Sequence, residues 1–171
     1  VQCIQLEDQV SPKRCGHMDN KEVVDINEAV SKISTAVRSR DSDRFLIMAR
    51  TDSRATHDLD EALRRGDAFL NAGADILFIE APRSVTEMEV IKQVFPDTVL
   101  VANMVEDGRT PELTTTQLAE LGYQLILRPV SALLSVAKTL QLSYESLTEP
   151  DPSGTAPPRL SFQAYNELVG L

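Results

Sequence analysis

Cysteine and histidine are scarce in this 171-residue sequence, at two each, and no apolar run approaches the roughly 18 to 20 residues that a membrane span needs. Cys3 and Cys15 are too few for a disulfide framework and fit a reducing compartment, with a single bridge left open. Cations are short as well: 17 Lys and Arg against 26 Asp and Glu give a formal net charge of -9, which disfavours nonspecific binding to nucleic acid or to an anionic membrane. A Gly-rich phosphate loop ending in Lys-Ser/Thr, a G-x-G-x-x-G after a strand and a G-x-S-x-G are all missing, so nucleotide binding and serine hydrolysis lose support. The opening Val1-Gln2-Cys3-Ile4 has neither a basic region nor a cleavage pattern, and a cytoplasmic protein is expected. Because it starts at the threshold of an apolar run, the chain is also expected to be cut from a longer one. What is present, 42% hydrophobic and 25% charged residues with 5% aromatics, suits a globular protein with one good-sized core.

Short apolar runs alternate with stretches of helical period, the pattern of consecutive βα units and hence of a parallel sheet covered by helices. The runs are Cys3 to Leu6, Phe45 to Ala49, Asp75 to Ile79, Thr98 to Ala102 and Gln124 to Leu127. Between them Ile26, Ala29, Val30, Ile33 and Val37 share a helical face, as do Leu59, Ala62, Leu63, Gly66 and Leu70, then Val85, Met88, Ile91 and Phe95, then Leu133, Val136, Ala137 and Leu140. Ser84 to Glu87 and Thr114 to Gln117 read as capping boxes, Asp58 as a helix cap, and Gly73 and Gly122 as helix stops. A Pro-rich linker follows over 148–160, and a short amphipathic helix over 161–171 starts at Ser161 and carries Phe162, Tyr165, Leu168 and Val169.

The chemistry gathers where the runs end. Glu7, Arg50, Glu80, Asn103 and Arg128 each read as the first polar residue after a strand, and in a parallel barrel those positions share the carboxyl-terminal face. Any one of them alone suits a solvated strand end; together they can ring a small anionic ligand. The segment from Glu7 to His17 is the densest, with Lys13 and Arg14 beside Cys15 and with His17 close by. The cations would stabilise a thiolate and the imidazole could share its proton, while a free surface thiol and a solvated histidine fit the same spacing. A Cys/His metal site lacks ligands at suitable spacing. His57 reads as exposed, and Glu106-Asp107-Gly108 as a solvated turn or a substrate gate.

The stretch Glu7-Asp8-Gln9 with Lys13-Arg14-Cys15-Gly16-His17 resembles the signature of the isocitrate lyase and phosphoenolpyruvate mutase superfamily. The likeness continues through Met48-Ala49-Arg50-Thr51-Asp52, Ile79-Glu80-Ala81, Ala102-Asn103-Met104 and Arg128-Pro129-Val130-Ser131-Ala132, covering most of 1–147, and reaches the tail at Ser161-Phe162. Its cysteine loop is similar to that of the 2-methylisocitrate lyase and carboxyphosphonoenolpyruvate mutase-like branch. The resemblance implies an α/β fold, part of a (β/α)8 TIM barrel. About five carboxyl-terminal strands would lie in 1–147, followed by a helical tail exchanged between subunits of a dimer of dimers. It implies a Mg2+ cofactor whose direct ligands lie upstream of Val1, with Glu7 in the outer shell through water.

For the site, the resemblance implies a catalytic set of Cys15, Lys13, Arg14 and His17, and a substrate-binding set of Gly16, Arg50, Glu80, Asn103 and Arg128. At Arg128 the family more often has an aromatic residue or histidine. The implied reaction opens a carbon-carbon bond of a small anionic 2-hydroxy di- or tricarboxylate, such as 2-methylisocitrate or a substituted malate, with Cys15 protonating the carbanionic product. A phosphorus-carbon bond-forming mutase and an inactive half-barrel are the alternatives.

Overall fold

The computed structural model describes residues 1–14, 20–148 and 157–171. The chain divides into two compact units, Val1–Pro129 and Val130–Leu171. In the first, the strands β1 (Cys3–Glu7), β2 (Leu46–Thr51), β3 (Ile76–Ile79), β4 (Val99–Asn103) and β5 (Leu125–Leu127) pair in sequence order, all parallel, as a curled half-barrel. The helices α1 (Ile26–Ser39), α2 (Ser53–Thr56), α3 (Leu59–Asn71), α4 (Val85–Val94) and α5 (Thr115–Glu120) lie between the strands in sequence, as a parallel sheet requires. The expected strands are all present, with their ends shifted by one or two residues. Glu7 and Asn103 close their strands and Arg50 lies inside β2, so only Glu80 and Arg128 follow a strand.

Alternation of side chains along the strands builds two cores. On the helix side Ile47, Ala49, Leu77, Ile79, Leu100 and Ala102 pack with residues of the helices. On the other side Met48, Ile76, Phe78 and Val101 form a smaller cluster, bordered by Cys3, Leu46, Leu125 and Leu127. The second set has the same parity as Glu7, Arg50, Glu80 and Asn103. These four polar residues therefore extend the inner apolar face at its carboxyl-terminal end.

The helix starts follow local chemistry. Asp25, Asp58, Ser84 and Thr114 each accept a hydrogen bond from a backbone N–H of the first turn. The full reciprocal box forms at Thr114 and Gln117, whereas the Glu87 carboxylate turns to Arg54 and to the Arg83 N–H. Gly66 sits on α3 because a Cβ there would lie 3.0 Å from Leu77 Cδ2 and from the Phe95 ring, so this glycine lets the helix settle onto β3.

In the second unit, α6 (Ser131–Thr148) carries Leu133, Val136 and Leu140 on one stripe, and all three are exposed. The tail helix α7 (Phe162–Val169) is capped by Ser161, whose Oγ accepts from the Ala164 N–H, and ends on left-handed Gly170. Phe162, Tyr165, Leu168 and Val169 are exposed too. Of the expected linker, 149–156 falls outside the described residues, and 157–160 has no regular structure.

Gly73 ends α3 at φ 96°, and a Cβ would stand 2.9 Å from Val37 Cγ1 of α1. Gly73→Ala adds the left-handed penalty, roughly 1–2 kcal/mol, to that collision. Urea unfolding should show a loss of about 2 kcal/mol or more. A loss below about 0.5 kcal/mol would mean that the α1–α3 contact yields freely.

Candidate functional site

Arg50 is the centre of the inner face. Its Nε and Nη2 donate to Oδ2 and Oδ1 of Asp52, the first residue after β2, at 2.9 and 3.1 Å in a two-pronged fork. Nη2 also lies 3.1 Å from Glu80 Oε2, Nε lies 3.6 Å from Glu7 Oε2, and the guanidinium stands 5.0 Å over the Phe78 ring. Nη1 has no partner among the described residues. Burial alone would lower the pKa of Arg50, but the Asp52 hydrogen bonds and then the charges of Glu80, Asp52 and Glu7 raise it, so the cation is secure. Burial likewise pushes the Asp52 carboxyl up, and Arg50 followed by Lys21 outweighs this and holds it below the ordinary carboxylate range.

From Glu80 the contacts pass to Asn103, whose Nδ2 lies 3.3 Å from each Glu80 oxygen. Asn103 Oδ1 and Glu7 Oε2 are buried without a hydrogen-bond partner among the described residues. Two unfilled acceptors and one unfilled guanidinium donor thus lie on one connected group of side chains. A ligand bearing a carboxylate and a hydroxyl or a bound water would satisfy them. Directly after Glu80, Ala81 takes a left-handed conformation at φ 57°, a strain of roughly 1–2 kcal/mol for a non-glycine residue that turns the chain away from the strand.

On the helix side of the same strand ends lies a second polar cluster. Asp8, 1% exposed, accepts from Thr51 Oγ1 at 2.7 Å, from the Asp52 N–H at 2.9 Å and from Arg65 Nη1 at 3.0 Å. Burial pushes its carboxyl above the usual value more strongly than these partners draw it down. Arg65 also reaches the Val24 carbonyl and Glu61. The Glu61 carboxyl is drawn down to about 2 by its hydrogen bond to Arg64, which with Arg65 outweighs the opposing effect of burial.

The loop between β1 and α1 is held at its base. Val10 N–H donates to Glu22 O and Val24 N–H to Asp8 O, while the Gln9 amide exchanges two 2.8 Å bonds with the backbone of Arg14. Lys13, 63% exposed, meets Glu7 Oε1 at 2.8 Å. Lys21 is buried and pairs with Asp52 at 3.1 Å.

Of the expected site residues, Glu7, Lys13, Arg50, Glu80 and Asn103 are brought together, and the backbone of Arg14 is held by the Gln9 amide. Cys15, Gly16 and His17 lie outside the described residues. Arg128 is exposed, with contacts to the Leu113 carbonyl and Glu112. His57 is exposed, as expected. Sequence reasoning gave no role to Asp8, Gln9, Lys21, Asp52 or Arg65. A signal existed for Arg65, which stands on the buried face of α3 three residues after Ala62 and four before Phe69.

Comparison with known proteins supplies relatives for this arrangement. The family profile described as phosphoenolpyruvate phosphomutase matches residues 1–148. A 2,3-dimethylmalate lyase of Eubacterium barkeri is 45% identical over 172 residues, covering all of this chain and 59% of that protein. A crystal structure of 2,3-dimethylmalate lyase, a PEP mutase/isocitrate lyase superfamily member, superposes with a TM-score of 0.88 at 32% identity, over 98% of this chain and 56% of that one. A probable 2-methylisocitrate lyase of Corynebacterium glutamicum is 44% identical over 75% of this chain and 42% of its own length. Phosphonopyruvate hydrolase, solved in complex with oxalate and Mg2+, superposes with a TM-score of 0.72 at 26% identity, over 99% of this chain and 59% of that one. The chain thus spans about half the length of the relatives it matches.

Removing one partner of a buried ion pair leaves the other charge stranded. Arg65→Met should therefore cost about 3 kcal/mol or more in chemical denaturation, because Asp8 keeps its burial and loses its cation. Glu61→Gln, which leaves the Arg65–Asp8 pair in place, should cost under about 1 kcal/mol. Equal losses would place the importance of Arg65 in α3 itself rather than in Asp8.

Proposed function

This chain belongs to the phosphoenolpyruvate mutase and isocitrate lyase superfamily, and we propose that it supplies the carboxyl-terminal part of a carbon-carbon bond lyase. Its substrate would be a 2-hydroxy di- or tricarboxylate of the substituted malate or 2-methylisocitrate type. The observation that carries this reading is the connected group Glu7–Arg50–Glu80–Asn103, with a guanidinium nitrogen and two acceptors on one face that lack a hydrogen-bond partner among the described residues. The Arg50 Nη1 donor suits a substrate carboxylate, and the acceptors suit a hydroxyl or water. Lys13 and Arg14 add positive charge at the mouth of a chain that is acidic overall.

In this reading a base takes the substrate hydroxyl proton, the new carbonyl forms, and the electrons of the breaking bond pass to the departing carbon. Cys15 then gives its thiol proton to that carbon and is left as a thiolate, which Lys13, Arg14 and His17 stabilise. Glu80 and Asn103 orient the carboxylates. Arg128 would reach a substrate side chain only by leaving Leu113 and Glu112.

For Mg2+, no cluster of three or more His, Cys, Asp or Glu able to hold a metal exists among the described residues. Glu7, with a buried Oε2 lacking a hydrogen-bond partner, fits an outer-shell place that accepts from metal-bound water. When bound, the ion would supply charge stabilisation for the oxygen of the opening bond. A cytoplasmic setting and a dimer of dimers complete the proposal. Phe162 and Leu168, 81% and 74% exposed, would be covered by a neighbouring subunit.

In the full-length protein with Mg2+, cleavage of 2,3-dimethylmalate or 2-methylisocitrate into an oxo acid and a carboxylate is the expected outcome. Cys15→Ser should lower turnover by a factor on the order of 100 to 10,000 while product binding persists, since serine keeps the shape and loses the acidity. Wild-type turnover in Cys15→Ser removes the thiol from the mechanism. Conversion of carboxyphosphonoenolpyruvate into a phosphorus-carbon product, without lyase activity, overturns the lyase reading. Deleting residues 157–171 should lower the mass seen in analytical ultracentrifugation. An unchanged mass refutes the exchanged helix.

A further inference from the structure

We propose that Asp52 is a joint between the β1–α1 loop and Arg50, and that Lys21 is a positioning residue acting through it. Asp52 Oδ1 accepts from Lys21 Nζ at 3.1 Å and from Arg50 Nη2 at 3.1 Å, while Oδ2 accepts from Arg50 Nε at 2.9 Å. One carboxylate, with no exposed side-chain surface, therefore holds two cations. One comes from inside β2 and the other from the limb of the loop that returns to α1.

A lysine side chain only 1% exposed is uncommon, because it loses both hydration and rotamer freedom. Stability does not require it, since a buried ion pair can often be replaced by apolar groups at little net loss. What the pair does supply is direction. The loop base is already closed by the Val10–Glu22 and Val24–Asp8 bonds, by Arg65 on the Val24 carbonyl and by the Gln9 amide on Arg14. Lys21 adds a side-chain tie from this loop to the carboxylate that aims the guanidinium. If the returning limb shifts, Asp52 loses one of its two cations, and the direction of its fork on Arg50 shifts with it. Loop position and Arg50 orientation are thereby one variable. The connection itself stands on these contacts alone, and its consequence for turnover rests on the lyase reading above.

The test compares wild type, Lys21→Met and Lys21→Arg in the full-length protein. Without any substrate, the backbone amides of Val10, Arg14 and Val24 should exchange with deuterium at least tenfold faster in Lys21→Met. The Asp75 amide, bonded to the Ile47 carbonyl, should be unchanged. In the same sample the 15N–1H resonance of Arg50 Nε should move, and Lys21→Arg should restore it. With 2,3-dimethylmalate, kcat/KM should fall at least tenfold in Lys21→Met and recover in Lys21→Arg. Unchanged exchange, or an unmoved Arg50 resonance, overturns the joint. Normal exchange behaviour of the variants with no lyase activity in wild type would leave neither proposal standing. Absence of lyase activity with the expected exchange and resonance changes sinks the lyase reading alone. Should Lys21→Met fail to fold, Lys21→Gln takes its place. Failure of both to fold makes the pair a stability element and overturns the positioning role.

Discussion

Charge that has left water must be paired, and the upper end of this sheet is organised by that requirement. Asp8, Asp52 and Glu80 are buried carboxylates, and Lys21, Arg50 and Arg65 are buried cations. Among the described residues the two sets balance, and pairing is what permits their burial. Their contacts are not a cluster of independent pairs. Asp52 binds Lys21 and Arg50, Arg50 binds Glu80, and Glu80 takes the amide of Asn103. The sheet register sets this order by placing Glu7 opposite Arg50, and Asp52 follows directly where β2 gives way to α2. Because the buried charges already cancel, they add little net attraction for an anion. They orient one, and the attraction falls to the exposed cations of the loop, Lys13 among them.

Local pattern revealed the parts of this arrangement that depend on local pattern. Five apolar runs separated by helical stripes mark five parallel strands, and four of the polar residues near their ends, Glu7, Arg50, Glu80 and Asn103, come together on one face. The capping residues Asp58, Ser84 and Thr114 act where their neighbours predict. What escaped was pairing over distance. Lys21 stands in a run of polar residues, followed by Glu22, yet its partner lies 31 positions away. Arg65 falls on the apolar face of α3, but its meeting with Asp8 spans 57 positions. Neither partner can be read from periodicity, because many carboxylates would satisfy the same cation. The four-residue α2 has no apolar stripe to announce it and is too short to show one. The exposed stripe of α6 shows the converse, since periodicity marks an amphipathic face without saying what covers it.

The neighbours Glu7 and Asp8 show how one strand end serves two purposes. Successive side chains point to opposite faces, so two adjacent carboxylates enter environments with opposite demands. Asp8 turns toward the helices, where an unmet acceptor would be expensive, and it is surrounded by a hydroxyl, a backbone N–H and a guanidinium. Glu7 turns to the inner face, where one oxygen meets Lys13 and the other is left without a hydrogen bond. Asn103, of the same parity on β4, has an orphan oxygen as well. At these strand ends the acceptors left open, on Glu7 and Asn103, are on the inner side, while Asp8 on the helix side is met. A fold that needed only stability would satisfy both faces. Leaving acceptors open beside a guanidinium fixed in direction stores a cost that a bound ligand can relieve, and the tightly paired layer behind it makes that cost tolerable.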